Sequence, residues 1–159
     1  MFKILMLFTL LSLSLFSKTV HFSEEKYHEA IDATFTKEGN ITFLDKSVEV
    51  VYFDDKSRLF YSGERLTMER KGKKREVDIG KKPEIKMFFT LFRAIYFDDR
   101  EELLSFFKIE RFQGVTTLIP LELVSNYIKR VEYKKIEEKL IFMEIWFASE
   151  DRVRIEELD

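Results

Sequence analysis

One segment of the chain, residues 85–97 (IKMFFTLFRAIYF), is apolar on nearly every side. Pro83 and Glu84 precede it as helix-start signals, so the pattern predicts a helix. Its polar side chains share one narrow stripe at i, i+4 and i+7: Lys86, Thr90 and Arg93. A helix on a sheet needs an apolar stripe of only roughly 100°, so this helix is either buried on several sides or covers an apolar cavity. Its length of about 20 Å is too short to cross a bilayer core of roughly 30 Å.

Before this segment the apolar residues alternate with polar ones, which is the period of half-buried strands. Turn signals such as Gly39 and Ser62-Gly63 divide the stretch into short pieces. The predicted strands are 40–44, 48–53, 59–61, 66–70 and 74–79. Short strands with tight turns indicate an antiparallel meander. Residues 23–32 show a helical pattern instead, with Ser23 as the N-cap.

After the central segment, residues 100–107 predict a second helix, with Asp99 at its start. Further strands are predicted at 109–112, 115–119, 127–134, 140–147 and 153–158. Residues 121–126 fit either a helical turn or a loop. Both faces of 140–147 are apolar, so this strand is covered on both sides or lines a cavity.

The first 17 residues have the layout of a secretory signal peptide. Lys3 precedes an apolar run at 4–16, and Ser17 is a small residue for cleavage. Ser12 and Ser14 offer a second cleavage pair, and an uncleaved anchor is disfavoured because the run is short for a span. We therefore expect residues 18–159 to form a single domain in the periplasm.

Composition narrows the function further. Without Lys3 the chain has 26 basic and 29 acidic residues, a net charge of −3, which argues against nucleic acid as a partner. There is no cysteine, so neither disulfides nor a lipid-modified N-terminal cysteine are expected. The fold must then rely on burial, for which 17 Phe and 6 Tyr, apart from the Phe of the predicted signal peptide, supply the material.

Candidate chemistry is sparse. His21 and His28 fit solvated side chains, and the doublets Asp54-Asp55 and Asp98-Asp99 fit turns better than a calcium site. The basic run 70–75 (RKGKKR) suits either an anionic membrane surface or a solvated hairpin tip. We find no phosphate loop, nucleophile elbow or metal-ligand spacing, so we predict no enzyme activity, no cofactor and no metal.

Four short segments, taken in order, resemble one family. They are 39–43 (GNITF), 59–66 (LFYSGERL), 102–105 (ELLS) and 118–120 (LIP). With the signal peptide, the meander and the central apolar helix, their order resembles the periplasmic outer-membrane lipoprotein carriers, the LolA-like family. Each motif is short, and the resemblance covers nearly the whole of 18–159.

The resemblance implies an α+β fold: a strongly curved, unclosed antiparallel β half-barrel with helices covering its concave face. It further implies a carrier that binds the acyl chains of a lipoprotein and shuttles them from the inner to the outer membrane. The implied partners are acylated lipoprotein cargo, an inner-membrane lipoprotein-releasing transporter and an outer-membrane acceptor. We expect a monomer.

Strand parity and the helix face opposite Lys86 and Arg93 predict the residues that contact lipid. They are Ile41, Phe43, Val50, Tyr52, Met68, Phe88, Leu91, Phe92 and Ile95. Segments 85–97 and 100–107 would form a lid, with Lys46 and Arg93 as candidate lid contacts. The family's lid-contacting arginine corresponds here to Lys46, which lacks the planar donor fork of arginine.

Two other functions stay open. The same fold would suit an envelope module that binds another lipid or amphiphile. It would also suit a non-catalytic scaffold, whose sheet and helices would form a tight core without a cleft. An exported hydrolase would need a catalytic cluster that the sequence lacks.

The first prediction concerns export. N-terminal sequencing of the protein from the periplasm of a Gram-negative host should begin near Lys18, because Lys3 and the run at 4–16 suffice for targeting. A sequence that begins at Met1, obtained from the membrane pellet, would contradict it.

Overall fold

The computed structural model describes residues 17–159. Apart from Ser17, the predicted signal peptide lies outside these residues. The elements are β1 (Lys18–His28), β2 (Ala33–Phe43), β3 (Ser47–Tyr52), β4 (Arg58–Ser62), β5 (Arg65–Arg70), β6 (Lys73–Asp78), α1 (Pro83–Tyr96), α2 (Arg100–Phe106), β7 (Phe107–Phe112), β8 (Val115–Pro120), α3 (Glu122–Ser125), β9 (Ile128–Ile136), β10 (Lys139–Phe147) and β11 (Arg152–Glu157).

All eleven strands belong to one antiparallel sheet, in the order β6-β5-β4-β3-β2-β1-β11-β10-β9-β8-β7. Strands β1 and β11 pair at its centre, while β6 and β7 are its two edges. The sheet is curved and not closed, so the predicted fold class is confirmed. The helices α1 and α2 lie in the connection between the edge strands β6 and β7. This connection crosses the concave face of the sheet.

Most predicted elements are present, with ends shifted by a few residues. The five predicted strands of the meander are β2 to β6, and the two predicted helices are α1 and α2. The ambiguous residues 121–126 contain the short helix α3. In β10, Met143 and Ile145 are buried on the concave side. On the convex side, arginine side chains cover Phe142 and Trp146, so no second protein layer is needed.

The predicted helix at 23–32 is wrong. Residues 18–28 continue as β1, which pairs with β2 along its whole length and with β11 on its other side. Beyond Phe22 both faces of β1 are mostly polar: Glu24, Lys26 and His28 lie on the concave side, Glu25 and Tyr27 on the convex side. The period of two is therefore hidden in the sequence, and long-range pairing overrides the local helical pattern.

Helix α1 packs its apolar side on the concave face. Its buried side chains are Met87, Phe89, Leu91, Phe92, Ala94, Ile95 and Tyr96. Phe43 of β2 packs against Phe92 and Tyr96, with ring centroids 5.4 and 4.3 Å apart. In the described part of the chain, no helix combines the length and apolarity needed to cross a membrane.

Gly39 allows β2 and β3 to approach closely on this face. A Cβ atom there would lie 2.2 Å from the carbonyl oxygen of Val51 and 3.0 Å from the ring of Phe22. Because the first neighbour is backbone, the clash cannot be relieved by a rotamer change.

Substituting Gly39→Ala should therefore lower the free energy of unfolding by about 3 kcal/mol, the upper part of the range for overpacking. Urea denaturation measures this, with Thr36→Ala, an exposed position of the same strand, as the control expected to change stability by less than about 0.5 kcal/mol. Equal stability of the Gly39→Ala variant and the parent would contradict the close approach.

Candidate functional site

The C-terminal half of α1 is held to the sheet by the Arg93 side chain. Its guanidinium donates to the carbonyl oxygens of Leu44 at 2.8 Å, Asp45 at 2.6 Å and Ser47 at 3.4 Å. Leu44 and Asp45 are in the β2–β3 turn, and Ser47 is the first residue of β3. The planar fork of arginine allows it to bind several carbonyls of one turn at once, which a lysine cannot do.

Lys46, the other predicted lid contact, lies in that turn but makes no hydrogen bond or ion pair with another residue of 17–159. The acceptors are its neighbours' carbonyl groups. The arginine is therefore on the helix and the acceptors are on the turn, the reverse of the arrangement that the resemblance implied. Lys46 and Arg93 do share the wall of a groove of about 410 Å³ with a mixed polar and apolar lining.

A second tether holds the last turn of α1 from the opposite half of the sheet. The Lys135 ammonium donates to the carbonyl oxygens of Ile95 at 3.1 Å and Tyr96 at 3.0 Å, and to Asp98 Oδ2 at 2.7 Å. Its side chain is only 9% exposed. The final carbonyls of a helix lack partners within the helix, so this lysine satisfies two of them.

Tyr96 adds a third polar contact at the same end of α1. Its hydroxyl donates to Glu157 Oε2 on β11, and the backbone N–H of Leu140 donates to the same oxygen. Burial, and then the hydrogen bond to Glu157, raise the pKa of Tyr96 well above its ordinary range. The phenol therefore stays protonated and remains a donor at physiological pH.

An apolar cavity of about 460 Å³ lies under the N-terminal half of α1. Its apolar lining is Leu59, Leu66, Met68, Ile85, Phe88, Phe89, Phe147 and Val153, and its polar lining is Glu24, Lys26, His28, Tyr52, Glu84, Ser149 and Asp151. A second volume of about 360 Å³ adjoins it and shares six of these residues. This size lies within the roughly 300–1,000 Å³ typical of small-molecule sites.

Some polar side chains of the cavity wall contact one another. The hydroxyl of Tyr52 donates to Glu24 Oε2 at 3.2 Å, and burial, followed by the charge of Glu24, raises the pKa of Tyr52 far above its usual value. His28 Nδ1 lies 3.8 Å from Asp151 Oδ2. The polar groups of this wall are thus mostly paired, and the exposed surface of the cavity is mainly apolar, as expected in a site for a largely apolar ligand.

The structure separates the nine predicted lipid contacts into two groups. Tyr52, Met68 and Phe88 border the cavity. The other six are at most 5% exposed and pack where α1 meets the sheet: Ile41, Phe43, Val50, Leu91, Phe92 and Ile95. Only a void of about 20 Å³ remains beside Ile41, Val50 and Phe92.

Several residues of the cavity wall were absent from the predicted set, among them Leu59, Leu66 and Phe89. Leu66 shares the strand parity of Met68, and Leu59 is the register partner of both Val50 and Met68, so parity alone would have found them. Nothing in the local sequence marks Lys135, whose role depends on residues about forty positions away.

No protein-family model and no curated protein matches the chain. Solved structures that are similar to it include the following two. Lipoprotein LppX of Mycobacterium tuberculosis has a TM-score of 0.43 and 10% identity, covering 91% of this chain and 86% of its own. A LolA superfamily protein of Nitrosomonas europaea has a TM-score of 0.39 and 8% identity, covering 92% and 86%.

The second of these proteins belongs to the superfamily that the order of sequence elements resembles. At TM-scores below 0.5, neither match bears on what this chain binds. Within residues 17–159 no group of three or more His, Asp or Glu side chains is placed to hold a metal ion.

The substitution Arg93→Gln should loosen the attachment of α1 to the sheet, because it removes the hydrogen bonds to the carbonyl groups of the β2–β3 connection. Hydrogen bonds to a charged donor are worth about 1.5–3 kcal/mol, so amide exchange in the C-terminal half of α1 should quicken by about tenfold or more. Hydrogen exchange with mass spectrometry measures this.

The matched control is Lys86→Gln on the same helix. Lys86 pairs with Glu64 at 3.0 Å, but both side chains are largely exposed, so the loss should be below about 1 kcal/mol. Equal exchange rates in the two variants would show that Arg93 is not the main tether.

Proposed function

We propose that this protein is a periplasmic carrier that binds the acyl chains of lipoproteins between α1 and the concave face, and shuttles them from the inner to the outer membrane. Its partners would be acylated lipoprotein cargo, an inner-membrane lipoprotein-releasing transporter and an outer-membrane acceptor. The observation that carries this proposal is the placement of α1, an apolar helix that occupies the concave face of an open sheet, where cargo would otherwise lie.

The contacts of α1 suit a lid that can be displaced. Three of its polar attachments, through Arg93, Lys135 and Tyr96, are near its C-terminal end. The attachment of its N-terminal half is the exposed ion pair of Lys86 with Glu64. Its N-terminal half borders the cavity through Glu84, Ile85, Phe88 and Phe89. The N-terminal half of α1 lies over a cavity, and the C-terminal end is anchored to the sheet. The N-terminal half can therefore move away from the sheet while the C-terminal contacts stay in place.

The free energy that lid displacement costs is comparable to the free energy that cargo binding returns. Exposing the buried apolar side chains of α1 would cost on the order of 10 kcal/mol, because each large side chain contributes roughly 1.5–3 kcal/mol. Burying one methylene returns about 0.8 kcal/mol, so about a dozen methylenes offset that cost. The empty protein is then stable with its lid closed, and cargo is bound without being held irreversibly.

A binding module for another lipid or amphiphile is the second candidate. The cavity of about 460 Å³ favours it, because this volume exists while α1 is closed and needs no displacement of Leu91 or Phe92. The tight packing of those two side chains also agrees with a scaffold, which would have a helix that never opens. Tying the helix to the sheet distinguishes the carrier from both.

The experiment uses Glu64→Cys with Lys86→Cys, joined by a short reducible bis-thiosulfonate reagent. The two side chains are in contact and largely exposed, and the chain has no other cysteine, so the reagent joins α1 to the β4–β5 turn alone. A synthetic triacylated lipopeptide is the probe. We expect the tied protein to lose at least tenfold in affinity for the lipopeptide, and reduction to restore it.

Two controls accompany this test. The same double variant without the reagent should bind like the parent, and Glu64→Cys alone with the reagent should be unaffected. If the tied and reduced proteins bind the lipopeptide equally, α1 is not a lid for acyl chains. If neither binds it, the carrier proposal fails.

A further inference from the structure

Two charged side chains that line the cavity make no hydrogen bond or ion pair with any other residue in the described range, and they have opposite signs. They are Lys26 and Glu84. The other charged groups of this wall are engaged. Glu24 accepts from Tyr52, and Asp151 pairs with His28 and accepts from the backbone N–H of Glu29.

Lys26 and Glu84 come from opposite walls of the cavity. Lys26 is half-buried on the concave side of β1, where its register partners are Phe35 and Val153. Glu84 is in the first turn of α1, at the rim. A molecule entering between the sheet and the start of the helix would pass between an ammonium and a carboxylate.

Each of the two groups lacks a partner of opposite charge among the described residues. A half-buried ammonium without a partner loses part of its hydration, so a ligand anion beside Lys26 would recover that loss. Glu84 is an exposed acidic side chain in the first turn of α1, where a ligand cation can reach it. Each group can therefore attract a ligand charge of the opposite sign.

The remaining wall is apolar and limits the size of the ligand. Leu59, Leu66, Phe147 and Val153 surround a volume of about 460 Å³. That is near the lower part of the roughly 300–1,000 Å³ range for single small ligands, so it suits one hydrocarbon chain. Lys26 lines both this volume and its neighbour, which places a headgroup at their junction.

We propose that the cavity, with α1 closed, binds a single-chain amphiphile that has a zwitterionic phosphate–ammonium headgroup. The phosphate pairs with Lys26, the ammonium with Glu84, and the chain lies against Leu59, Leu66 and Phe147. This goes beyond lipoprotein carriage, because it requires no displacement of the lid.

A zwitterion suits the site better than a simple anion. Glu24 and Asp151 also line the cavity, so a purely anionic headgroup at Lys26 would meet two further carboxylates. A purely cationic headgroup would be opposed by Lys26. A headgroup that carries both signs satisfies both unpartnered side chains at once.

Calorimetric titration with four dodecyl probes below their micelle concentrations tests the proposal: dodecylphosphocholine, dodecanoate, dodecyltrimethylammonium and dodecyl maltoside. Because the chain is constant, differences report on the headgroup. We expect dodecylphosphocholine to bind at least tenfold more tightly than each of the others. It should also bind when the helix is tied shut through Glu64→Cys and Lys86→Cys.

Variants assign the two charges. Lys26→Met and Glu84→Gln should each weaken dodecylphosphocholine at least fivefold. Lys26→Met should shift the preference towards the cationic probe, and Glu84→Gln towards dodecanoate. Lys26→Arg should retain binding, which separates charge recognition from a loss of folding.

Matched controls are Lys73→Met and Glu76→Gln, the same charge changes on the exposed edge strand β6, and both should bind like the parent. Equal affinities for all four probes, or tighter binding of the neutral maltoside, would overturn the proposal. Loss of lipopeptide binding with zwitterion binding intact would overturn the carrier function alone. The opposite result would overturn this inference alone.

Discussion

An open, curved antiparallel sheet has a concave face that must be covered. Here that face carries buried apolar side chains of strands β1 to β3, including Phe22, Phe43 and Val50. Leaving them in water would cost roughly 25 cal/mol for each Å² of apolar surface exposed. The connection between the two sheet edges meets this need, because α1 crosses the face and buries its own apolar side there. The architecture thus depends on one helix that stands in for a second layer.

The two ends of α1 are held to the sheet in different ways. Arg93 and Lys135 hold the C-terminal end of α1 from opposite halves of the sheet, and both bind main-chain carbonyl groups. At the other end, concave positions of β1 change from Phe22 to Glu24 and Lys26, and the helix and sheet separate around a cavity. Close packing and free volume are therefore side by side under the same helix.

The difference between the two ends of α1 explains which elements could be predicted from the sequence. Alternation at Val48, Val50 and Tyr52 predicts a strand because its two faces differ, and Pro83 marks the start of α1 because proline suits a first helical turn. Strand β1 is missed where both of its faces are polar. The polar residues of β1 line the cavity, so the wrong secondary-structure prediction at 23–32 lies at the candidate site.

The site could be predicted only in part. Strand parity places Tyr52 on the side of the sheet that faces the helix, and the helical period places Phe88 on the side of α1 opposite Lys86 and Arg93. Parity does not say how closely the helix approaches each strand, which depends on tethers between distant residues such as Lys135 and Ile95. The sequence pattern therefore does not distinguish the residues packed around Phe92 from those that line the cavity around Leu59, although the structure separates the two sets.

The central claim is that α1 moves from the concave face to admit acyl chains. The most direct measurement is a pulsed electron–electron distance between spin labels at Lys86→Cys on α1 and Thr36→Cys on the convex side of β2, positions that are exposed in a chain without other cysteines. The account predicts one distance without ligand and a second, longer population when a triacylated lipopeptide is bound. An unchanged distance distribution in protein shown to be saturated with lipopeptide would contradict it.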